Sequence, residues 1–313
     1  MNEVNQNKIF NFDNIEMGIG TWSWGDSLYW GYDRAYHEAD IKAAFDFCIN
    51  EGIRFFDTAE VYGQGKSETL LGKFIGQSGS KVFVASKFMP YPWRLNKKSF
   101  RNALAKSLQR LELPKIDLYQ IHMPLPPVNI ETWMEAMAEA MQAGYINAIG
   151  VSNYDRNQIQ RAYDDLLRQA LTLTSNQVEY NLLNRSIEKN DVKRICDELG
   201  IKIIAYSPLA MGLLSGKYNS ENMPSGFRSR KYSKKYVEKT QPLIKLLKKI
   251  GSDHAGKSPS QVAINWVMCK GAIPIPGVKN IKQAEENTAA LRWKLSEEEV
   301  QSLDDQSAKI VEE

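Results

Sequence analysis

Cysteine is scarce in this chain of 313 residues. Cys48, Cys196 and Cys269 stand far apart, odd in number and without a CxxC pair, which argues against a disulfide framework and a zinc site. Long apolar runs are missing as well: no uncharged stretch nears the roughly 20 residues of a membrane span. Residues 1–14 are polar and lack both the basic start and the apolar core of a secretory leader, so a reducing, cytoplasmic setting is expected. Neither sign of charge prevails. Lys and Arg number 40 against 37 for Asp and Glu, a net +3, too near balance to argue for nucleic acid as partner. Low-complexity linkers and composition breaks are absent, so residues 1–313 are expected to form a single domain. The sequence does not give the oligomeric state; a monomer is the favoured expectation.

Two phosphate-binding motifs fail on spacing. Gly18 and Gly20 are followed by Gly25, which breaks the GxGxxG pattern. Gly212 and Gly216 enclose three residues where a phosphate loop needs four, and Tyr218 stands where Ser or Thr would hold magnesium. Asn184-Arg185-Ser186 is a glycosylation sequon that reads as a surface loop, and His37 and His254 read as solvated histidines in polar helical contexts.

What is present is an ordinary globular balance, 43% hydrophobic and 25% charged, with enough chain for a large core. Eight short β-branched or aromatic runs fall at 16–20, 53–57, 81–87, 116–122, 146–152, 173–177, 202–206 and 272–276. They alternate with stretches of helical period at 38–51, 96–111, 130–143, 157–170 and 188–199. Ser258-Pro259-Ser260-Gln261 reads as a capping box with proline at the first helical position, and 296–299 as a second box. Such alternation implies right-handed βαβ crossovers, and eight repeats favour a closed α/β barrel, the (β/α)8 TIM barrel, over an open sheet. The longest irregular piece, 209–239, follows the seventh run and would hang over the C-terminal mouth.

Barrel active sites form at the C-terminal strand ends. The second run ends in Asp57, the third in Lys87 and the fourth in His122. Period-two alternation puts Phe55 and Asp57 on one face, as it does Ala85 and Lys87, and Leu118, Gln120 and His122. If these faces point inward, an acid, a lysine and a histidine converge at one rim, and Tyr62 can reach them from the loop. Singly, each residue has an ordinary reading as a turn former, a solvated strand end or a packed aromatic; their coincidence on three consecutive strands points to function. Tyrosine ionises near pH 10, too high for efficient proton transfer at neutral pH. A buried ammonium would lower that value, with Asp57 as its counter-charge, and His122 could donate to a carbonyl oxygen. The set suits interconversion of C=O and CH–OH, with hydride from a bound cofactor. It does not suit hydrolysis, since no serine or cysteine nucleophile with a paired base is evident.

With Asp57 through Gly63 (DTAEVYG), Ser86-Lys87 and Gln120-Ile121-His122, the chain resembles the aldo-keto reductases at their Asp, Tyr, Lys and His tetrad. Further matches are Gly150 through Asn153, Asn176 through Asn181, Ala205 through Leu209, Gly212 through Tyr218 and Pro274 through Gly277, and the resemblance runs from about Met17 to Leu303. At 209–240 and 277–287 it looks closest to the branch holding bacterial and plastid reductases and potassium-channel β subunits. The resemblance implies NADPH/NADP+ as cofactor. It places Ser152, Asn153 and Gln177 on the nicotinamide carboxamide and stacks Tyr206 on the ring. Ser207, Leu209, Gly212, Gly216 and Lys217 would wrap the pyrophosphate. Gly20, Thr21 and Trp22 would lie near the ribose and the substrate mouth, and Gly277, Lys279, Gln283, Glu286 and Asn287 would hold the adenosine end. Lys279 stands where that branch commonly has a small hydroxyl residue, just before a helix expected near Asn280, and would meet the 2′-phosphate there. Aromatic residues crowd the first and third strand-end loops; they either line a carbonyl pocket, with Trp22, Trp30 and Trp93 as the candidates, or pack the loops. The expected activity is NADPH-dependent reduction of small aldehydes or ketones with Tyr62 as general acid. The alternatives are an NADPH-holding regulatory module with weak turnover, as in the channel β subunits, or a dehydrogenase working in the oxidative direction.

Overall fold

The computed structural model describes residues 12 and 14–311. Its centre is a parallel sheet of β1 (Ile19–Gly20), β2 (Phe55–Asp57), β3 (Phe83–Phe88), β4 (Leu118–Ile121), β5 (Ile149–Ser152), β6 (Leu173–Glu179), β7 (Lys202–Tyr206) and β8 (Ile273–Ile275), each bonded to the next. β8 returns to the first strand: Gly18 N donates to Pro274 O at 3.0 Å and Gly20 N to Pro276 O at 3.1 Å. This seam needs glycine, because a Cβ at Gly20 would lie 2.9 Å from the Ile275 carbonyl oxygen. The expected (β/α)8 barrel is therefore the observed architecture.

Around it lie α1 (Glu38–Asn50), α2 (Lys66–Ser78), α3 (Lys97–Leu111), α4 (Ile130–Gln142), α5 (Arg156–Arg168), α6 (Ser186–Lys189) and α7 (Val192–Glu198). They are followed by α8 (Phe227–Lys231), α9 (Lys234–Asp253), α10 (Pro259–Cys269), α11 (Ile281–Thr288) and α12 (Glu297–Val311). Asn96, Asn129, Asp155, Ser233, Ser258 and Asn280 start their helices by accepting a backbone N–H of the first turn. Both expected capping boxes form, at Ser258 with Gln261 and at Ser296 with Glu299. Among the described residues no helix is long and apolar enough to cross a membrane.

The strands face two ways. Phe55, Ala85, Leu118, Ala148, Ile204 and Ile273 fill the N-terminal half of the bore. Phe56, Val84, Phe88, Tyr119 and Ile121 pack outward beneath the helices. Side chains alternate along a strand, so the next inward positions after Phe55, Ala85 and Leu118 are Asp57, Lys87 and Gln120.

Two stretches differ from expectation. The irregular piece is shorter than 209–239: it contains a 3-10 segment over Ala210–Ser215 and the short α8, and α9 begins at Lys234. The Lys- and Tyr-rich composition hides a helical face on which Val237, Thr240, Leu243, Ile244 and Leu247 are buried. Residues 188–199 are parts of two helices, split where Asp191 takes φ +64°, a left-handed conformation that Asp tolerates better than most residues.

Candidate active site

The ends of β2, β3 and β4 bring the acid, the lysine and the histidine to one rim. Lys87 is 1% exposed and Asp57 2%, so the pair is fully buried. Lys87 Nζ donates to Asp57 Oδ1 at 2.5 Å, to Thr58 O at 2.9 Å and to Tyr62 OH at 3.3 Å, which uses all three ammonium protons. Asp57 Oδ2 accepts from Gln177 Nε2 at 2.7 Å and from Gln120 Nε2 at 3.2 Å. Tyr62 reaches the site from a tight turn, Tyr62–Gly65, in which Gly63, Gln64 and Gly65 all take positive φ. The Tyr62 and His122 rings meet edge to face at 5.7 Å, and His122 Nδ1 is buried without a hydrogen-bond partner.

Burial dominates the electrostatics. It pushes the Tyr62 phenol above its ordinary pKa; Lys87 pulls the other way and Asp57 adds to the rise. The expectation that the ammonium would lower the phenol below its ordinary value is thus corrected, because loss of water outweighs one cation at this distance. Burial also works against the Lys87 ammonium, but Asp57 and Tyr62 outweigh it and the lysine stays charged. His122 is pushed down to about 3, first by burial and then by the Lys87 charge, so its ring is neutral.

Above this floor opens a cavity of about 710 Å³. On one wall Tyr206 OH donates to Asn153 Oδ1 at 3.0 Å, and Asn153 Nδ2 donates to Ser152 Oγ at 3.0 Å and His122 O at 3.2 Å. Ser152 Oγ in turn donates to Gln177 O at 2.9 Å, which fixes the whole wall. Ser207, Leu209, Gly212 and Lys217 continue it, and Gly277 and Lys279 after β8 line it together with Gln283, Glu286 and Asn287 of α11. There Glu286 is anchored by Ser258 Oγ and Gln261 Nε2, and Asn287 Nδ2 donates to Gly277 O. Gly20, Trp22 and Trp30 border the mouth, with Trp22 5.3 Å from the Trp30 ring and 6.2 Å from the Tyr62 ring.

Several expected positions lie elsewhere. Thr21 is fully buried behind the wall, its Oγ1 on Asp57 O at 3.0 Å and Ser67 Oγ at 2.7 Å, so it braces a strand end and does not face the mouth. Gly216 turns the chain at φ +76° against Pro259 and Ile244, off the cavity wall. Trp93 is 72% exposed and stacked on Tyr91 at 4.5 Å, outside the cavity. Lys279 lines the cavity, but its ammonium donates to Trp30 O at 3.2 Å and lies 4.5 Å from the Trp30 ring and 4.8 Å from Tyr36. His254 is half-buried, 2.8 Å from Glu299 and packed on Trp293, not solvated.

The cavity also takes in Ser23, Met123, Met211, Ser215, Ser260 and Lys282, to none of which the sequence assigned a place in the site. Ser260 and Lys282 sit in first helical turns that only tertiary packing aims at the hollow. Gln120 shares the inward face of Leu118 and His122, but its bond to Asp57 joins strands far apart in sequence.

Residues 16–308 match the model of the Aldo/keto reductase family. The chain is 40% identical over 302 residues to the chloroplastic pyridoxal reductase of Arabidopsis thaliana, covering 92% of this chain and 82% of that protein. Among solved structures it is similar to a glycerol dehydrogenase from Gluconobacter oxydans, with a TM-score of 0.84 at 28% identity over 95% of this chain and 93% of that one. It is also similar to an aldo/keto reductase from Klebsiella pneumoniae solved with NADP and acetate, with a TM-score of 0.72 at 28% identity over 93% and 90% of the two chains.

Proposed function

The chain belongs to the aldo/keto reductase family and is an NADP-dependent oxidoreductase, and from that premise we propose that it reduces aldehydes or ketones to alcohols on a single barrel domain, with Tyr62 as proton donor. The observation that carries this reading is the placement of Tyr62 OH 3.3 Å from a fully buried, charged Lys87 at the floor of the cavity. The phenol holds its proton at neutral pH, as a general acid must. When that proton leaves, Lys87 faces the phenolate and stabilises it, and Asp57 keeps the lysine in place. The neutral His122 ring lies beside Tyr62, where an N–H can hold the carbonyl oxygen.

The residues present fit the dinucleotide. Gln177 gives its Nε2 protons to Asp57 and Gln120, so Oε1, with no donor among the described residues, is the acceptor it has for an incoming carboxamide N–H. Ser152, Asn153 and Tyr206 would hold the nicotinamide end. Ser207, Leu209, Gly212 and Lys217 would hold the phosphates, and Gly277, Lys279, Gln283, Glu286 and Asn287 the adenosine end. When bound, NADPH supplies the hydride.

Trp22 and Trp30 beside Tyr62 favour a flat or aromatic carbonyl compound. Pyridoxal, in the name of the Arabidopsis relative, is one such aldehyde to test. The experiment is a turnover screen of benzaldehyde, pyridoxal and aliphatic aldehydes with NADPH and with NADH. Reduction with at least about a tenfold preference for NADPH is expected. Tight NADPH binding without turnover would favour a regulatory module, and oxidation of the corresponding alcohols alone would favour the dehydrogenase direction.

A further inference from the structure

We infer that Gln120 is a positioning residue of the proton-transfer machinery: together with Gln177 it fixes one oxygen of Asp57, so that the other is held on Lys87 and, through it, on Tyr62. The inference rests on the reading of Tyr62 as proton donor.

Gln120 is wholly buried in the bore of the barrel, in register between Lys87 on β3 and Gly150 on β5. A buried amide needs partners. Its Nε2 donates to Asp57 Oδ2 at 3.2 Å, beside Gln177 Nε2 at 2.7 Å on the same oxygen. Space for it comes from Gly150: a Cβ there would lie 2.9 Å from Gln120 Cγ and 2.5 Å from Ser175 Oγ. Three strands thus cooperate in one small task. β4 supplies an amide, β6 supplies a second, and β5 gives up a side chain to admit the first.

The chemistry of the donors matters. Two neutral N–H groups on Oδ2 stabilise the carboxylate without adding a second cation, which would compete with Lys87 for it. They also restrict rotation of the carboxylate, leaving Oδ1 aimed at the ammonium. Lys87 from β3, Tyr62 from the turn after β2, His122 at the end of β4 and Tyr206 from β7 are the titratable groups facing this floor. β5, β6 and β8 present Ser152, Gln177 and Ile275, none of which titrates.

The test compares Gln120→Met and Gln120→Glu with the wild type, reading kcat, KM and the pH profile of kcat on one aldehyde with NADPH. Thermal unfolding and NADPH affinity from tryptophan quenching are followed alongside. The Met variant removes a hydrogen bond to a charged group, so kcat should fall about ten- to a hundredfold, with KM and NADPH affinity within about twofold. Its acid limb should move to higher pH, because an oxygen short of a donor holds negative charge less well. The Glu variant should work within a few-fold of wild type when its carboxyl is protonated and can donate. It should then lose activity as pH rises and two carboxylates face each other. A packing role alone would not send the two variants in opposite pH directions. If the Glu variant does not fold, Gly150→Ala, which displaces Gln120, should reproduce the Met profile. Wild-type kcat and pH profile in Gln120→Met, or equal losses at every pH in both variants, would overturn the inference. Retained turnover in Tyr62→Phe would instead remove the proton-donor reading on which it stands.

Discussion

The two mouths of the barrel share the same eight strands and differ in nearly everything else. The N-terminal mouth holds the larger hollow, about 1010 Å³, bordered by Phe12, Leu173, Lys202, Ile273 and Lys294. Polar groups there serve the fold: Asn265 donates to Ala290 O and Trp293 O and accepts from Leu295 N. The C-terminal mouth is smaller, about 710 Å³, yet a buried acid–lysine pair, a phenol and a neutral imidazole converge at its floor. Size therefore does not locate the chemistry. Its location follows from the step, along each strand, from inward apolar residues such as Phe55, Ala85 and Leu118 to inward polar ones two positions later.

The sharpest way to break this contrast is Tyr62→Phe. It removes the proposed donor without touching the wall, so carbonyl reduction should fall by about two to four orders of magnitude while NADPH affinity holds. Substantial residual turnover would move the role of acid to His122. Next in size is Lys87→Met, which takes the cation from the phenol and leaves Asp57 buried with only its amide donors. Turnover should drop at least about a hundredfold, and unfolding free energy by about 3 kcal/mol, the scale for breaking a buried pair. An unchanged melting temperature would show that the pair is not dry.

In the same cavity, Lys279→Ala tests the proposed 2′-phosphate contact. A charge-assisted contact contributes about 1.5–3 kcal/mol, and the ammonium must share or leave Trp30 to make it. NADPH affinity should therefore fall about tenfold, with NADH barely affected and the difference shrinking in salt. Equal losses for both cofactors would assign the lysine to tying the first loop to the eighth.

A smaller effect is expected from pH. With His122 held neutral by burial and pushed down to about 3, the rate profile should show no step at the ordinary histidine value of 6.5. The folded state binds this proton less readily than the unfolded one. Its contribution to stability is therefore fully present above 6.5 and is lost as pH falls from 6.5 toward 3. A rate step near 6.5 that disappears in His122→Gln would show a solvated ring. The smallest effect belongs to the other mouth. Lys294 is exposed there, and Lys294→Ala should leave kcat/KM within about twofold and stability within about 0.5 kcal/mol. A larger loss would mean that the N-terminal hollow has a function.

Much of the catalytic floor was legible one residue at a time. Asp57, Lys87 and His122 end successive apolar runs, and period-two alternation alone put them on the faces of Phe55, Ala85 and Leu118. The helix starts were legible too, since Ser258 and Asn280 carry their own capping oxygens. Less legible was α9, whose buried stripe lies beneath a run of lysines. Trp22, Trp30 and Trp93 were indistinguishable in sequence, yet two border the mouth and the third lies on the surface against Tyr91.

The sequence by itself determined where strands and helices fall and which residue types end the strands, because these depend on local periodicity and capping, which act over a few residues, and the eight repeats favoured the barrel. Only the tertiary structure decided what those residues do to one another. The bond from Gln120 to Asp57, the tie of Lys279 to Trp30 and the displaced pKa values of Tyr62 and His122 all join distant segments or arise from burial. Burial is a property of the closed barrel and of no single strand: water leaves the floor only when all eight strands and their loops are in place.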